Sequence, residues 1–218
     1  MAKFAALFDM DGVLVDNFAV HLVAWDTFCK RKGLVISSDD LKDFAFGRTN
    51  EEIMPHFFGR SFSKTEIDVL ANEKEAIYRE LYKGKVEPVK GLISFVKTLK
   101  AAGLPVAVAT SAPAANAHFV LEEIGLTPFF DCITDSSMIQ NGKPDPEIYL
   151  LTAERLGYEP SSCIVFEDSF AGIESGNAAG MSVVGLATTH NATKLTNCRL
   201  VLKDFDDITV DELLKWFN

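Results

Sequence analysis

Short apolar runs that stop abruptly at acidic or hydroxyl residues, separated by helix-length amphipathic stretches, constrain the fold of this chain more than any other feature. Residues 4–8 are too few for a helix and end at Asp9-Met10-Asp11-Gly12, the pattern of a buried strand feeding a loop. The run 105–109 ends at Thr110-Ser111 and the run 163–166 at Glu167-Asp168, while 182–186 and 199–202 read as further short strands. Between them lie helical stretches at 92–102, 115–124 and 147–156, each followed by a glycine suited to a helix end. This alternation predicts an α/β fold: a doubly wound, Rossmann-like parallel sheet with helices on both faces.

Residues 17–83 break the alternation, because only helical patterns occur there. Phe18, Leu22, Trp25 and Phe28 form an apolar stripe that Gly33 terminates, Thr49-x-x-Glu52 is a capping box, and Ser63-x-x-Glu66 opens a long helix to about Tyr82. The reading is an all-helical cap domain, 17–83, inserted into a catalytic core made of 1–16 and 84–218. Charge separates the two parts. The insert carries 10 basic and 11 acidic residues and the remainder 11 basic and 20 acidic.

A formal charge of −10 repels phosphate backbones and anionic lipid, so nucleic acid and membrane are poor partners. With no apolar run of about 18 residues and no small-residue cleavage site near the start, the expected location is the cytoplasm. A monomer is the default state. Cys29, Cys132, Cys163 and Cys198 are scattered, which suggests neither a zinc site nor a disulfide framework.

Ligands of open α/β sheets bind beyond the carboxyl ends of the strands. Those ends carry Asp9 and Asp11, Thr110 with Ser111, and Glu167 with Asp168; Lys143, in Gly-Lys-Pro-Asp-Pro before a helix, belongs on the same rim. Carboxylates crowded to ~4 Å repel one another by about 4 kcal/mol per pair at an effective dielectric near 20, so they call for a cation. An all-oxygen ligand set selects a hard one, Mg2+ first. With a phosphate's charge neutralised by metal, Lys143 and the Thr110 hydroxyl, a carboxylate can attack phosphorus. An acid two residues further on can protonate the leaving oxygen. Asp9 and Asp11 have that spacing. For Thr110, a hydroxyl capping the following helix is the competing reading, and Ser111 suits that job equally.

Asp9-Met10-Asp11-Gly12-Val13-Leu14-Val15-Asp16 resembles the first motif of the haloacid dehalogenase superfamily; Thr110 matches the second, Lys143 the third, and Glu167-Asp168 with Gly172-Ile173 and Ala178-Ala179-Gly180 the fourth. The resemblance implies Asp9 as nucleophile and Asp11 as general acid/base. It implies magnesium held by the Asp9 carboxylate, the Asp11 main-chain carbonyl and Asp168 with Glu167 assisting, and Asp16 as a support. The helical insert is similar to that of the β-phosphoglucomutase-like branch, where a histidine and a tryptophan stand at the positions of His21 and Trp25 and a cap lysine at Lys74. That mutase has a lysine where Phe46 stands, an arginine at Asn50, and polar residues at Ala112 and Ala114, so donors for a second phosphate are thinned out. The expected activity is therefore hydrolysis of a small phosphorylated metabolite, such as a sugar phosphate, through an aspartyl phosphate, with phosphomutase as the alternative.

In the cap, Lys74 falls in the middle of the apolar stripe of Ile67, Leu70, Ala71, Ile77, Tyr78 and Leu81. A buried lysine needs a partner: either its stem snorkels to the surface or its ammonium meets an anion in the cleft, the reading favoured here. Gly47 and Arg48 are candidates for a substrate loop or for a structural turn into the helix capped at Thr49.

Overall fold

A computed structural model describes residues 3–37, 40, 41, 44 and 48–217. Six strands, β1 (Ala5–Phe8), β2 (Val106–Ala109), β3 (Cys132–Thr134), β4 (Cys163–Glu167), β5 (Ser182–Leu186) and β6 (Leu200–Leu202), form one sheet in the order β3-β2-β1-β4-β5-β6. Every neighbouring pair is parallel. The expected strands are all present, beginning at Ala5, Val106 and Leu200. β3 was not anticipated, since three residues, Cys-Ile-Thr between aspartates, are too short to carry a period.

β1, β2 and β4 are buried along their whole length, as parallel strands covered on both faces must be. Alternate residues serve opposite faces. Ala6, Phe8, Val108, Ile164 and Phe166 join a core with helices α4 (Leu92–Ala101) and α5 (Ala114–Glu123). Ala5, Leu7, Cys163 and Val165 pack with α6 (Glu147–Leu156) and α7 (Phe170–Ala178). Phe8 and Phe166 stack across adjacent strands at 4.6 Å. A short C-terminal helix, Val210–Leu214, buries Val210 and Leu213.

Three helices, α1 (Phe18–Arg31), α2 (Asn50–Phe58) and α3 (Lys64–Tyr82), precede α4 between β1 and β2, with both predicted capping boxes formed, at Thr49/Glu52 and Ser63/Glu66. α1 lies on α3, burying Trp25 and Phe28 against its stripe. The chain leaves the sheet and returns to it side by side: Val15 bridges Pro88, and the Val89 N–H donates to the Leu14 carbonyl at 2.9 Å. Because the strand order reverses between β1 and β4, the crevice at their carboxyl ends lies beneath these inserted helices.

Candidate active site

Asp9 follows the last residue of β1, and its N–H donates to the Phe166 carbonyl of β4 at 3.0 Å, so its position is set by the sheet. Glu167 ends β4, with Asp168 next. Lys143, only 1 % exposed, donates to Asp9 Oδ1 at 2.7 Å and to Glu167 Oε1 at 2.6 Å. Carboxylate oxygens of Asp9, Glu167 and Asp168 lie within 4.8 Å of one another, all three buried. Thr110, just after β2, accepts the Ala112 N–H at 3.1 Å, a turn ahead of α5 and not a helix cap, since Pro113 holds the N-cap position with no side-chain cap bond; the Thr110 O–H keeps a proton to donate, and Ser111 lines the same cleft.

Glycine makes this crowding possible at two points. Gly12 has φ +78°, and a Cβ there would overlap the Asp168 carboxylate; a Cβ on Gly172 would overlap that of Glu167. The two motif glycines are thus the space into which the acids fit.

Glu167 is fully engaged. Its Oε1 also accepts the Tyr149 hydroxyl at 3.0 Å, and its Oε2 accepts the Asp168 N–H, the Ser169 N–H and the Ser169 hydroxyl at 2.8, 2.9 and 3.0 Å. Five donors fill the roughly four lone-pair positions of a carboxylate. Its carboxyl sits below the usual range: burial pushes it up, but Lys143 and these hydrogen bonds outweigh that. Asp9 and Asp168 go the other way. Burial raises Asp9 to about 7, with Glu167 and Asp11 adding to the rise against the pull of Lys143. Burial, then Glu167 and Asp9, raise Asp168 well above its ordinary value. Two buried carboxyls that resist ionising side by side, among oxygen donors alone, fit a hard divalent cation, whose charge would let both ionise.

Asp11 faces the cap. Asn17 Nδ2 donates to its Oδ1 at 2.6 Å and also lies 2.7 Å from the Tyr78 hydroxyl, while His21 Nε2 is 3.6 Å from its Oδ2. Burial pushes the Asp11 carboxyl up, but His21, Asn17 and Lys74 together hold it below its usual value. Lys74 Nζ lies 3.0 Å from His21 Nδ1. An ammonium can only donate, so that nitrogen accepts and the ring proton sits on Nε2, toward Asp11.

All the candidate residues within the described chain converge on this one cleft: His21, Trp25, Arg48, Asn50 and Lys74 line it from the cap. Gly47 lies outside the described residues, as does Phe46. Lys74 does not snorkel; it is 3 % exposed, 4.9 Å from the Trp25 ring centroid, and the anion it meets is Glu75 Oε1 at 3.0 Å. Asp16 is exposed, and it is the next residue, Asn17, that bonds Asp11. Sequence reading missed Asn17, Glu75, Tyr149, Ser169 and Thr189, the last lining the cleft with a side-chain hydrogen bond to Asp168. Only Tyr149 left a signal, a phenol on the buried face of α6 that needs a polar partner.

The validoxylamine A 7'-phosphate phosphatase of Streptomyces hygroscopicus subsp. limoneus is 33% identical over 203 residues, covering 93% of this chain and 94% of the relative. Hexitol phosphatase A of Escherichia coli (strain K12) is 32% identical over 94% of this chain and 92% of its own. The crystal structure of β-phosphoglucomutase from Clostridium difficile superposes with a TM-score of 0.86 at 29% identity, covering 100% of this chain and 98% of that one. Residues 6–186 match the model of the haloacid dehalogenase-like hydrolases; with the four motifs gathered around one buried acidic cluster, the chain belongs to that family, on its β-phosphoglucomutase-like branch.

Proposed function

We propose that this protein is a magnesium-dependent phosphatase that hydrolyses the monoester of a small phosphorylated metabolite, a sugar or polyol phosphate, with residues 1–16 and 84–218 as catalytic core and 17–83 as cap. The observation that supports this most is the buried Lys143 bridging Asp9 and Glu167 beside Asp168. Asp9 attacks phosphorus and the ester oxygen leaves, taking a proton from Asp11, whose carboxyl the negative charge of the arriving phosphate raises from its low value in the free site; the product is an aspartyl phosphate. Water then attacks that phosphorus as Asp11 takes its proton, releasing inorganic phosphate and restoring Asp9. Lys143, Thr110 and Ser111 hold the phosphoryl oxygens, and Glu167 acts by fixing Lys143. Magnesium, held by Asp9, Asp168 and the Asp11 carbonyl, would supply charge neutralisation to the phosphoryl group.

Hydrolysis is favoured over the mutase reaction because the latter must hold a second phosphate on the cap. Asn50 and Ala112 line the cleft where mutase donors would stand, and Lys74 is already paired with Glu75. Mutase activity keeps support from Lys74 and His21 and from the similarity to β-phosphoglucomutase. The test is a parallel assay of inorganic phosphate and glucose 6-phosphate from β-glucose 1-phosphate, with a screen of sugar and polyol phosphates. Phosphate release at every turnover, abolished by Asp9→Asn, is expected. Glucose 6-phosphate formed much faster than phosphate, with activation by the bisphosphate, would replace the phosphatase with a mutase.

A further inference from the structure

Glu75 has no part in the chemistry above, yet the residue is only 4 % exposed and lines the same cleft. Its Oε1 accepts Lys74 Nζ at 3.0 Å and Asn50 Nδ2 at 3.2 Å, and its Oε2 accepts Asn116 Nδ2 at 2.7 Å. Asn116 cannot turn its amide round, because its Oδ1 takes a hydrogen bond from the donor-only Arg79 at 2.6 Å. Held from three sides, the Glu75 charge is a fixed part of the cleft wall.

We infer that Glu75 is a specificity-determining residue: it makes the cap wall charge-neutral and hydroxyl-accepting, so that the site takes monophosphates with an uncharged polyhydroxylated tail and rejects a second phosphate. This rests on the phosphatase reading and names its substrate class. The charge balance carries the argument. Lys74 is matched by Glu75, and Arg48, the other described cation of the cap wall, by Glu52 at 3.3 Å. Among the described cap residues that line the cleft, a distal phosphate meets no lysine or arginine without a carboxylate partner, and it meets a fixed buried carboxylate. Like charges at close quarters act against the wrong ligand, as hydrogen bonds act for the right one. A hydroxyl is treated differently, since three donors leave a carboxylate capacity for one more and the Asn50 side chain lies beside it.

The experiment uses two compounds that differ only at the distal end, fructose 1-phosphate and fructose 1,6-bisphosphate. It compares kcat/KM by phosphate release for the wild type, Glu75→Gln and Asn50→Lys; the last adds a cation while leaving Glu75 in place. Calorimetric affinities for both compounds on an Asp9→Asn background give the same comparison without turnover, so the inference is decided even if the phosphatase reading fails. Wild type should prefer the monophosphate by about tenfold or more. Both variants should shrink that ratio about tenfold, through KM for the bisphosphate. A wild type that handles the two alike overturns the inference. So does a ratio left within twofold in Glu75→Gln, including the case where both substrates suffer equally, which would make Glu75 a structural support only.

Discussion

Lys143 Nζ reaches Asp9 Oδ1 at 2.7 Å from 134 residues further along the chain, and it is the cation that meets the proposed nucleophile inside the protein. Replacing it with methionine leaves Asp9 and Glu167 buried against each other. Removing one partner of a buried pair costs about 3 kcal/mol. Lys143→Met should therefore melt well below the wild type and lose at least ~10²-fold in turnover, while added magnesium, a substitute positive charge, narrows the gap in melting temperature. Unfolding curves with and without magnesium measure this, and a variant with wild-type stability and rate refutes the role.

Asp11 directs its carboxylate at Asn17 and His21. The proposed metal contact is its main-chain carbonyl, so Asp11→Asn should lower the rate by ~10² to 10⁴-fold with magnesium affinity nearly unchanged. Should magnesium binding collapse while the remaining rate holds, the roles have been exchanged.

The metal itself gives a third expectation. A chelator should stop turnover and magnesium restore it, whereas calcium should inhibit, because its looser coordination lets the nucleophile engage the metal instead of phosphorus. Full activity with calcium contradicts the proposed site.

Glu75 ties stability to pH. Burial pushes its carboxyl up, but Lys74 and the Asn116 hydrogen bond bring it below its ordinary 4.5. A carboxyl lowered by folding stabilises the protein above its unfolded value, and that contribution disappears as pH falls through the folded value. Glu75→Gln should accordingly be less stable than the wild type at pH 7, with the difference shrinking below about pH 4.5. Denaturant unfolding across that range is the measurement; a gap that stays constant with pH excludes the link. In Lys74→Met/Glu75→Gln the cost should fall short of the sum of the two single changes, since each single change strands a buried charge.

How much of this could be read from the chain follows from where each kind of information lies. Strand, loop and helix alternate on a scale of five to fifteen residues, so hydrophobic period and helix-end glycines were enough for the sheet, the helical insert and the rim on which Asp9, Thr110, Lys143 and Glu167 meet. Both capping boxes are four-residue signals and formed as read. β3 escaped because three residues define no period. Motif spacing likewise sufficed to place Asp9 and Asp11, whose separation is local. Partner choice was not local. That Asn17 supports Asp11, that Tyr149 fixes Glu167, and that the anion facing Lys74 is its own neighbour Glu75 all depend on how α1, α3 and α6 rotate and pack against the sheet. A side chain's charge is written in the sequence, but the group that neutralises it is chosen by the few ångströms of distance that only tertiary packing sets.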